Sequence, residues 1–157
     1  MGIMNMAEMI HIVPIRATTT DTATFVAPHV NMKLYEKVEF VVMFGTLSGG
    51  SNVLTVTQSA ATAGSTSTAI AARYRMPAAA GTDTMGAVTA LASTGLTLTY
   101  GTFTTKGIIV DVESQDLTTA SKPYVGLTFT GANSAVSTIW ALLWPKYPTA
   151  TNASALT

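Results

Sequence analysis

The residues best equipped for chemistry in this 157-residue chain are three carboxylates close together in sequence, Asp111, Glu113 and Asp116. Asp111 and Glu113 stand two positions apart, so in a strand they share one face, as the carboxylate pair of a glycoside hydrolase could. The same group could also bind Ca²⁺ together with backbone oxygens. A solvated strand face followed by a capping carboxylate explains the pattern more simply. We therefore expect no catalytic residue and no enzymatic activity.

The chain lacks the residues that a metal site or a phosphate site needs. The two histidines, His11 and His29, have no further ligands at a suitable spacing for zinc, and the chain has no cysteine and no HxxxH pattern. Gly45, Gly49 and Gly50 belong to a glycine-rich turn, but no Lys-Ser/Thr pair or helix follows, which excludes a phosphate-binding loop. We expect no metal, no cofactor and no small-molecule substrate.

Aromatic and basic residues mark a possible binding face. Arg73, Tyr74 and Arg75 could stack on a base or a sugar, although pairing with an acidic neighbour on a strand is the simpler expectation. Trp140 and Trp144 are four residues apart, so in a strand they share a face; such pairs are core or interface anchors more often than sugar platforms. The residues expected to form an interface are Trp140, Trp144, Arg73, Tyr74 and Tyr147.

The composition limits the classes of partner. Charged residues make up 10% of the chain, against about 25% in an ordinary globular domain. A surface this poor in charge is expected to be covered by other subunits. Lys plus Arg equals Asp plus Glu at 8 each, without a basic cluster, which argues against a nucleic-acid partner. No apolar run approaches the roughly 18 residues of a membrane helix, and the first residues do not form a signal peptide.

Short strands must position these side chains. The clearest stretch is Leu34–Ser59, in which Glu36–Phe44 is rich in Val and Phe, Gly45–Asn52 supplies a Gly- and Ser-rich turn, and Val53–Ser59 alternates. This pattern predicts a β-hairpin. Turn signals recur every 8–12 residues, and no helical segments alternate with the strands. The sequence therefore predicts an all-β protein, an antiparallel sandwich of about eight to ten strands.

The remaining elements divide the chain into a domain and two arms. Further strands are expected over 9–16, 24–30, 68–76, 87–92, 96–104, 107–113, 123–130 and 135–144, with one helical turn within 114–122. We expect an N-terminal arm at 1–8, a single β-sandwich domain at 9–148 and a polar C-terminal tail at 149–157. Neither arm has the pattern of an autonomous core, so at least one of them is expected to lie on a neighbouring subunit.

Several segments occur in an order that resembles a known family. Lys33, Tyr35, Lys37 and Val38 lead into the Val-rich strand; Thr55–Ala60 follows, with Gly64 in the next loop. Later segments are Ile108–Leu117, a YVxL strand, and a last apolar strand that ends in Lys146, Tyr147 and Pro148. Over about residues 30–148 this order is similar to that of the small β-sandwich virion proteins of tailed bacteriophages, often assigned as capsid decoration or cement proteins.

The resemblance implies a fold, a location and partners. The fold would be jelly-roll-like, and several copies, with a homotrimer as first choice, would sit around a capsid symmetry axis. The partner would be the major capsid protein on the phage head surface, with the chain made in the host cytoplasm. The alternative function is a carbohydrate-binding or host-attachment module that uses Trp140, Trp144 and Arg73. An attachment module should expose aromatic residues at a loop rim, whereas a cement protein should bury them between subunits.

Overall fold

The structure, a computed structural model, is a sandwich of two antiparallel β-sheets, and it describes residues 9–131, 133–147 and 154–157. Twelve strands are present in this part of the chain: β1 (His11–Asp21), β2 (Phe25–Val26), β3 (Val30–Asn31), β4 (Tyr35–Leu47), β5 (Ser51–Ser59), β6 (Thr68–Ala69), β7 (Ala72–Arg75), β8 (Thr89–Leu91), β9 (Leu96–Thr99), β10 (Gly107–Glu113), β11 (Tyr124–Thr130) and β12 (Ala135–Pro145). Two helical turns interrupt them, α1 (Tyr100–Phe103) and a 3₁₀ turn (Ser114–Asp116).

The strand order is that of a jelly roll. The first sheet runs β1-β12-β4-β10-β7-β8 and the second β2-β11-β5-β6, with β3 also paired to β11 and β9 to β5. The nested neighbours β1–β12, β2–β11, β4–β10 and β5–β6 are those of a double Greek key folded into two sheets. The expected antiparallel, jelly-roll-like sandwich is confirmed.

The strand count exceeds the expected eight to ten because two predicted strands are divided. The run expected at 24–30 splits around Pro28, which has no N–H to donate to a ladder. The run expected at 68–76 splits into β6 and β7, which belong to different sheets. A third difference is that the strand expected at 96–104 ends at Thr99, where α1 begins.

The expected hairpin over Leu34–Ser59 is wrong. Strand β4 pairs with β10 and β12 in the first sheet, whereas β5 pairs with β11, β6 and β9 in the second. The turn at Ser48–Gly50 carries the chain from one sheet to the other, and Gly50 has a φ of +89°, which glycine adopts without strain. Alternating burial specifies which side chains point inward, but it is the same for a hairpin and for a corner between two sheets.

Inward side chains of both sheets form one core. In the first sheet the fully buried residues alternate along the central strands: Val38, Phe40 and Val42 in β4, and Ile108, Val110 and Val112 in β10. Leu54, Val56, Val125 and Leu127 meet them from the second sheet. Phe44 closes one end, with its ring edge-on to Phe103 at 6.1 Å and to Phe129 at 6.4 Å between centroids. The residues between the buried ones must therefore face outward.

The last four residues pack on the second sheet. Ala155 is 1% exposed, and its carbonyl accepts the backbone N–H of Asn31 at 2.8 Å. The main-chain oxygen of Thr157 accepts the hydroxyl of Tyr124 at 3.1 Å. This part of the expected C-terminal tail is therefore fastened to its own chain.

The expected N-terminal arm, 1–8, and the rest of the expected tail, 149–153, lie outside the described residues. The expectation that an arm lies on a neighbouring subunit stays a prediction.

A fully buried histidine lies beside the second sheet. His29 Nδ1 is 3.0 Å from the carbonyl of Ala27, which can only accept, so Nδ1 carries the proton. Nε2 then accepts a hydrogen bond from Thr57 Oγ1 at 2.9 Å. A Cβ atom at Gly64 or Gly126 would stand 2.6 or 2.4 Å from the imidazole ring. Burial lowers the pKa of His29, because the packed ring has little access to water.

The lowered pKa of His29 predicts that the fold loses stability in mild acid. Well above pH 6.5 the imidazole is neutral in both the folded and the unfolded state. As the pH falls below about 6.5, the unfolded chain binds the proton first. The free energy of unfolding should therefore fall towards the folded-state pKa, by at most about 1.4 kcal/mol per pH unit. Urea unfolding between about pH 7 and pH 5 measures this slope, and His29→Asn should make it shallower.

His11 makes a second contribution to the same pH dependence. Its Nδ1 shares a 2.6 Å hydrogen bond with the hydroxyl of Tyr35, and burial lowers its pKa as well. His11→Asn should therefore remove a second part of the slope, and the double variant should show the least pH dependence. A wild-type protein whose stability is as flat as that of the double variant would contradict this account.

Candidate functional site

The outer face of the first sheet collects most of the residues singled out in the sequence. Strand register aligns its outward side chains in rows across the sheet. The first row is Trp144, Lys37 and Glu113; the second is Leu142, Glu39, Asp111 and Arg73; the third is Trp140, Val41, Ile109 and Arg75. Strand β1 adds Ile12 beside Leu142 and Pro14 beside Trp140. The face is therefore charged on one side and apolar on the other.

The charged side is a connected ion-pair network, here called the charged cluster (Lys37, Glu39, Arg73, Asp111, Glu113 and Asp116). Arg73 Nη2 lies 3.0 Å from Asp116 Oδ2, 3.1 Å from Glu113 Oε1 and 3.8 Å from Asp111 Oδ1. Lys37 Nζ lies 2.7 Å from Glu39 Oε1 and 3.1 Å from Asp111 Oδ2. Each cation thus faces more than one carboxylate.

The pKa of Lys37 reflects the charges of this cluster. Burial lowers the pKa of its ammonium, but hydrogen bonds and charges from Glu39 and Asp111 outweigh burial, and the pKa is raised above its ordinary value. Two carboxylates that hold one ammonium in this way are partners in a structural network. Of the groups of His, Cys, Asp and Glu in the described ranges, none has three members placed to hold a metal ion.

Asp116 also holds the helical turn expected within 114–122. The turn lies at Ser114–Asp116, and Asp116 Oδ2 accepts the backbone N–H of Glu113 at 2.8 Å. The carboxylate therefore satisfies a backbone donor at the start of the turn and at the same time holds Arg73. The three carboxylates singled out in the sequence therefore have structural roles. Asp111 and Glu113 each form ion pairs with cations on the strand face, and Asp116 caps the helical turn.

Four of the five expected interface residues have their side chains at the surface, and three of them share this face. Trp140 and Trp144 both point outward from β12, as their spacing predicted, and the ammonium of Lys37 lies 5.3 Å from the Trp144 ring centroid. Arg73 lies in the charged cluster. Tyr74 pairs with Val110 and packs partly against the core, because neighbouring residues of a strand point to opposite faces.

Tyr147, the fifth expected residue, is 74% exposed and lies beyond the end of β12.

The apolar side of the face was not recognised in the sequence. We call it the apolar band; its residues are Ile12, Pro14, Val41, Met43, Ile109, Trp140 and Leu142, contributed by β1, β12, β4 and β10. Met43 is 50% exposed, Trp140 42% and Ile12 39%. A continuous apolar surface across four neighbouring strands is typical of a protein interaction site. The available signal was Phe40–Phe44, in which consecutive residues are apolar and both faces of the strand are therefore apolar.

Comparison with known proteins identifies no relative: no family model matches the sequence, and neither the curated proteins nor the solved structures contain a significant match. The resemblance to phage decoration proteins therefore depends on the sequence segments alone. Within 9–131, 133–147 and 154–157, no helix is both long and apolar enough to span a membrane.

The charged cluster predicts different costs for two neighbouring arginines. Arg73→Gln leaves three carboxylates facing one another with only Lys37 nearby, and it should lower the free energy of unfolding by about 1 kcal/mol. Arg75 is exposed and has no ion pair with another described residue, so Arg75→Gln should change stability by less than about 0.5 kcal/mol. Urea unfolding, in which the denaturant adds no charge, measures both.

Salt provides the control for the same pair of variants. Added NaCl screens both the attraction in the wild type and the repulsion in Arg73→Gln, so the difference between them should shrink. Equal stability losses for the two arginine variants would contradict a structural role for the cluster.

Proposed function

We propose that this chain is a non-enzymatic structural protein of a virion, a capsid decoration or cement subunit that binds the assembled head of a tailed phage. The observation that carries the proposal is the apolar band on the outer face of the first sheet. The occupant of the band would be the major capsid protein. The sequence resemblance suggests that the assembly is a phage head. The outer face of the first sheet is the surface that would bind the head.

The layout of the face suits a protein partner. Burial of apolar surface contributes about 25 cal/mol per Å², so the exposed part of the band offers the main gain in binding. The charged cluster lies beside the band with its charges already paired, so contact with a shell would not leave an unpaired charge without water. An apolar centre with a polar border is the usual arrangement of a protein interface.

Stabilisation of the shell would follow from mass action. A subunit that binds the assembled shell and not its dissociated parts stabilises the shell by RT ln(1 + [L]/Kd), about 2.7 kcal/mol per site at a hundredfold excess over Kd. A head with many such sites gains this amount at each of them. The subunit needs no catalytic residue to act in this way.

The alternative, a carbohydrate-binding or host-attachment module, has less support from the face. Trp144 is covered by the ammonium of Lys37, and Arg73 is held by three carboxylates, so both candidate sugar contacts are engaged. Trp140 projects from the middle of a sheet face and not from a loop rim. These positions favour contact with a protein surface.

Self-association belongs to the same proposal. Because only 10% of the residues are charged, we expect the chain to form a homo-oligomer, with a trimer as first choice. Sedimentation velocity of the full chain should give three times the 16.3 kDa mass of one chain. A well-behaved monomer in solution, together with isolated copies in a map of the head, would rule this out.

Binding to heads should depend on Trp140. Heads stripped of this protein should regain it on addition, and the temperature of DNA release on heating should rise. Trp140→Ser should weaken binding by at least about tenfold, because a buried tryptophan is a frequent hot spot. The matched control is Tyr100→Ser, which removes an aromatic ring that is 53% exposed on α1 and is not a residue of the band; it should bind like the wild type.

The same experiment at low and high salt tests the apolar character of the contact. Affinity should change little, because few charges take part. An unchanged release temperature on addition of the wild type would reject the cement role. Wild-type affinity of Trp140→Ser would reject this face as the interface.

A further inference from the structure

Two cavities lie side by side on the outer face of the first sheet, next to the apolar band. The first has a volume of about 320 Å³ and is walled mainly by Val41, Met43, Pro77, Met85 and Ile109. The second, of about 300 Å³, is lined by four residues of the charged cluster and five others: Lys37, Glu39, Arg73 and Asp111, with Tyr74, Arg75, Met85, Val88 and Ile109. Because Met85 and Ile109 belong to both, the cavities are two compartments of one groove.

The loop after β7 builds this groove. Pro77 and Met85 form an isolated β-bridge, and Gly86 N donates to the carbonyl of Met76 at 3.0 Å, which closes the loop. Lys106 Nζ donates to the carbonyl of Ala78 at 3.1 Å and holds the loop towards the β10 edge of the apolar compartment. The groove is thus a fastened feature of the face.

The compartments differ in the chemistry they offer. The apolar compartment has two methionine side chains, Met43 and Met85, whose unbranched thioethers adapt to large apolar groups. The charged compartment contains one cation without a partner among the described residues, Arg75, since Lys37 and Arg73 are already paired. A guanidinium free to bind favours a carboxylate, which it can hold with two parallel hydrogen bonds.

We propose that the groove binds an extended segment of a partner protein in which a large apolar side chain is followed two positions later by an acidic one, since every second side chain of an extended segment points to the same side. The apolar side chain would enter between Met43 and Met85, and the carboxylate would bind Arg75. This inference deepens the proposed function, since it names the feature of the shell protein that the face recognises. Val41 and Ile109 belong to both the apolar band and the groove, so a protein lying on the band reaches the groove without a break.

The test uses short blocked peptides and does not require phage heads. The ε-methyl groups of Met43 and Met85 are followed by ¹³C NMR in the full chain while acetyl-Phe-Ala-Asp-amide is added, in which Phe and Asp can face the same side. Both methyl signals should shift and saturate. Acetyl-Phe-Ala-Lys-amide should bind at least about threefold more weakly, because it offers Arg75 a like charge.

Two variants locate the carboxylate. Arg75→Gln should abolish the preference for Asp over Lys, while the shifts caused by the phenylalanine ring remain. Lys122→Gln removes a cation that lies outside the groove, beside β6 of the second sheet, and should leave the preference unchanged. Retention of the preference in Arg75→Gln, or its loss in Lys122→Gln, would overturn the assignment of the two compartments.

The remaining outcomes are also decisive. Equal binding of the Asp and Lys peptides, or no saturable shift with either, would overturn the proposal. Decanoate binding more tightly than acetyl-Phe-Ala-Asp-amide would replace a peptide partner by an amphiphilic lipid. Heads that bind the chain while the peptides do not would refute the groove alone. Peptide binding without head binding would refute the decoration role and leave the groove in place.

Discussion

The burial of every second residue of β4 between the two sheets is the constraint on which the rest of the structure depends. Val38, Phe40 and Val42 are fully inaccessible to solvent, and the two-residue period of a strand then obliges Glu39 and Val41 to face outward. A slip of one residue would bury Glu39 and expose the core residues, at a cost far above the stability of a domain of this size. The core therefore determines the outer face.

The same constraint separates the outer face into two chemistries. Along β4 the outward positions change from Lys37 and Glu39 to Val41 and Met43, and the neighbouring β10 changes from Asp111 to Ile109. Between β4 and β10 the antiparallel register places charged residues beside charged residues and Val41 beside Ile109. A face with a paired charged side and an exposed apolar side results, and the ladder between β4 and β10 needs no irregularity to produce it.

Local sequence patterns were sufficient to predict part of this structure, but they could not predict which distant strands pair. The all-β class, the helical turn near Asp116 and the shared face of Trp140 and Trp144 follow from periods and turn residues that lie close together in the chain. Strand β5 was expected to pair with β4, because strands that are neighbours in sequence usually pair. In the structure β5 belongs to the second sheet, where its apolar side chains are buried against the first sheet. The meeting of Arg73 with Glu113 depends on the pairing of β7 with β10, which no local pattern specifies.

The two edge strands of the first sheet explain why its outer face is a better surface for association than its edges. Strand β1 is one edge, and its ladder with β12 has register shifts after Pro14 and after Arg16. Such irregularities bend and twist an edge, and proline cannot donate to a new strand, so addition of a partner strand there is opposed. The other edge, β8, is only three residues long. With both edges protected, the exposed apolar area of this sheet is concentrated on its outer face, where a partner gains from side-chain burial and does not need to extend the sheet.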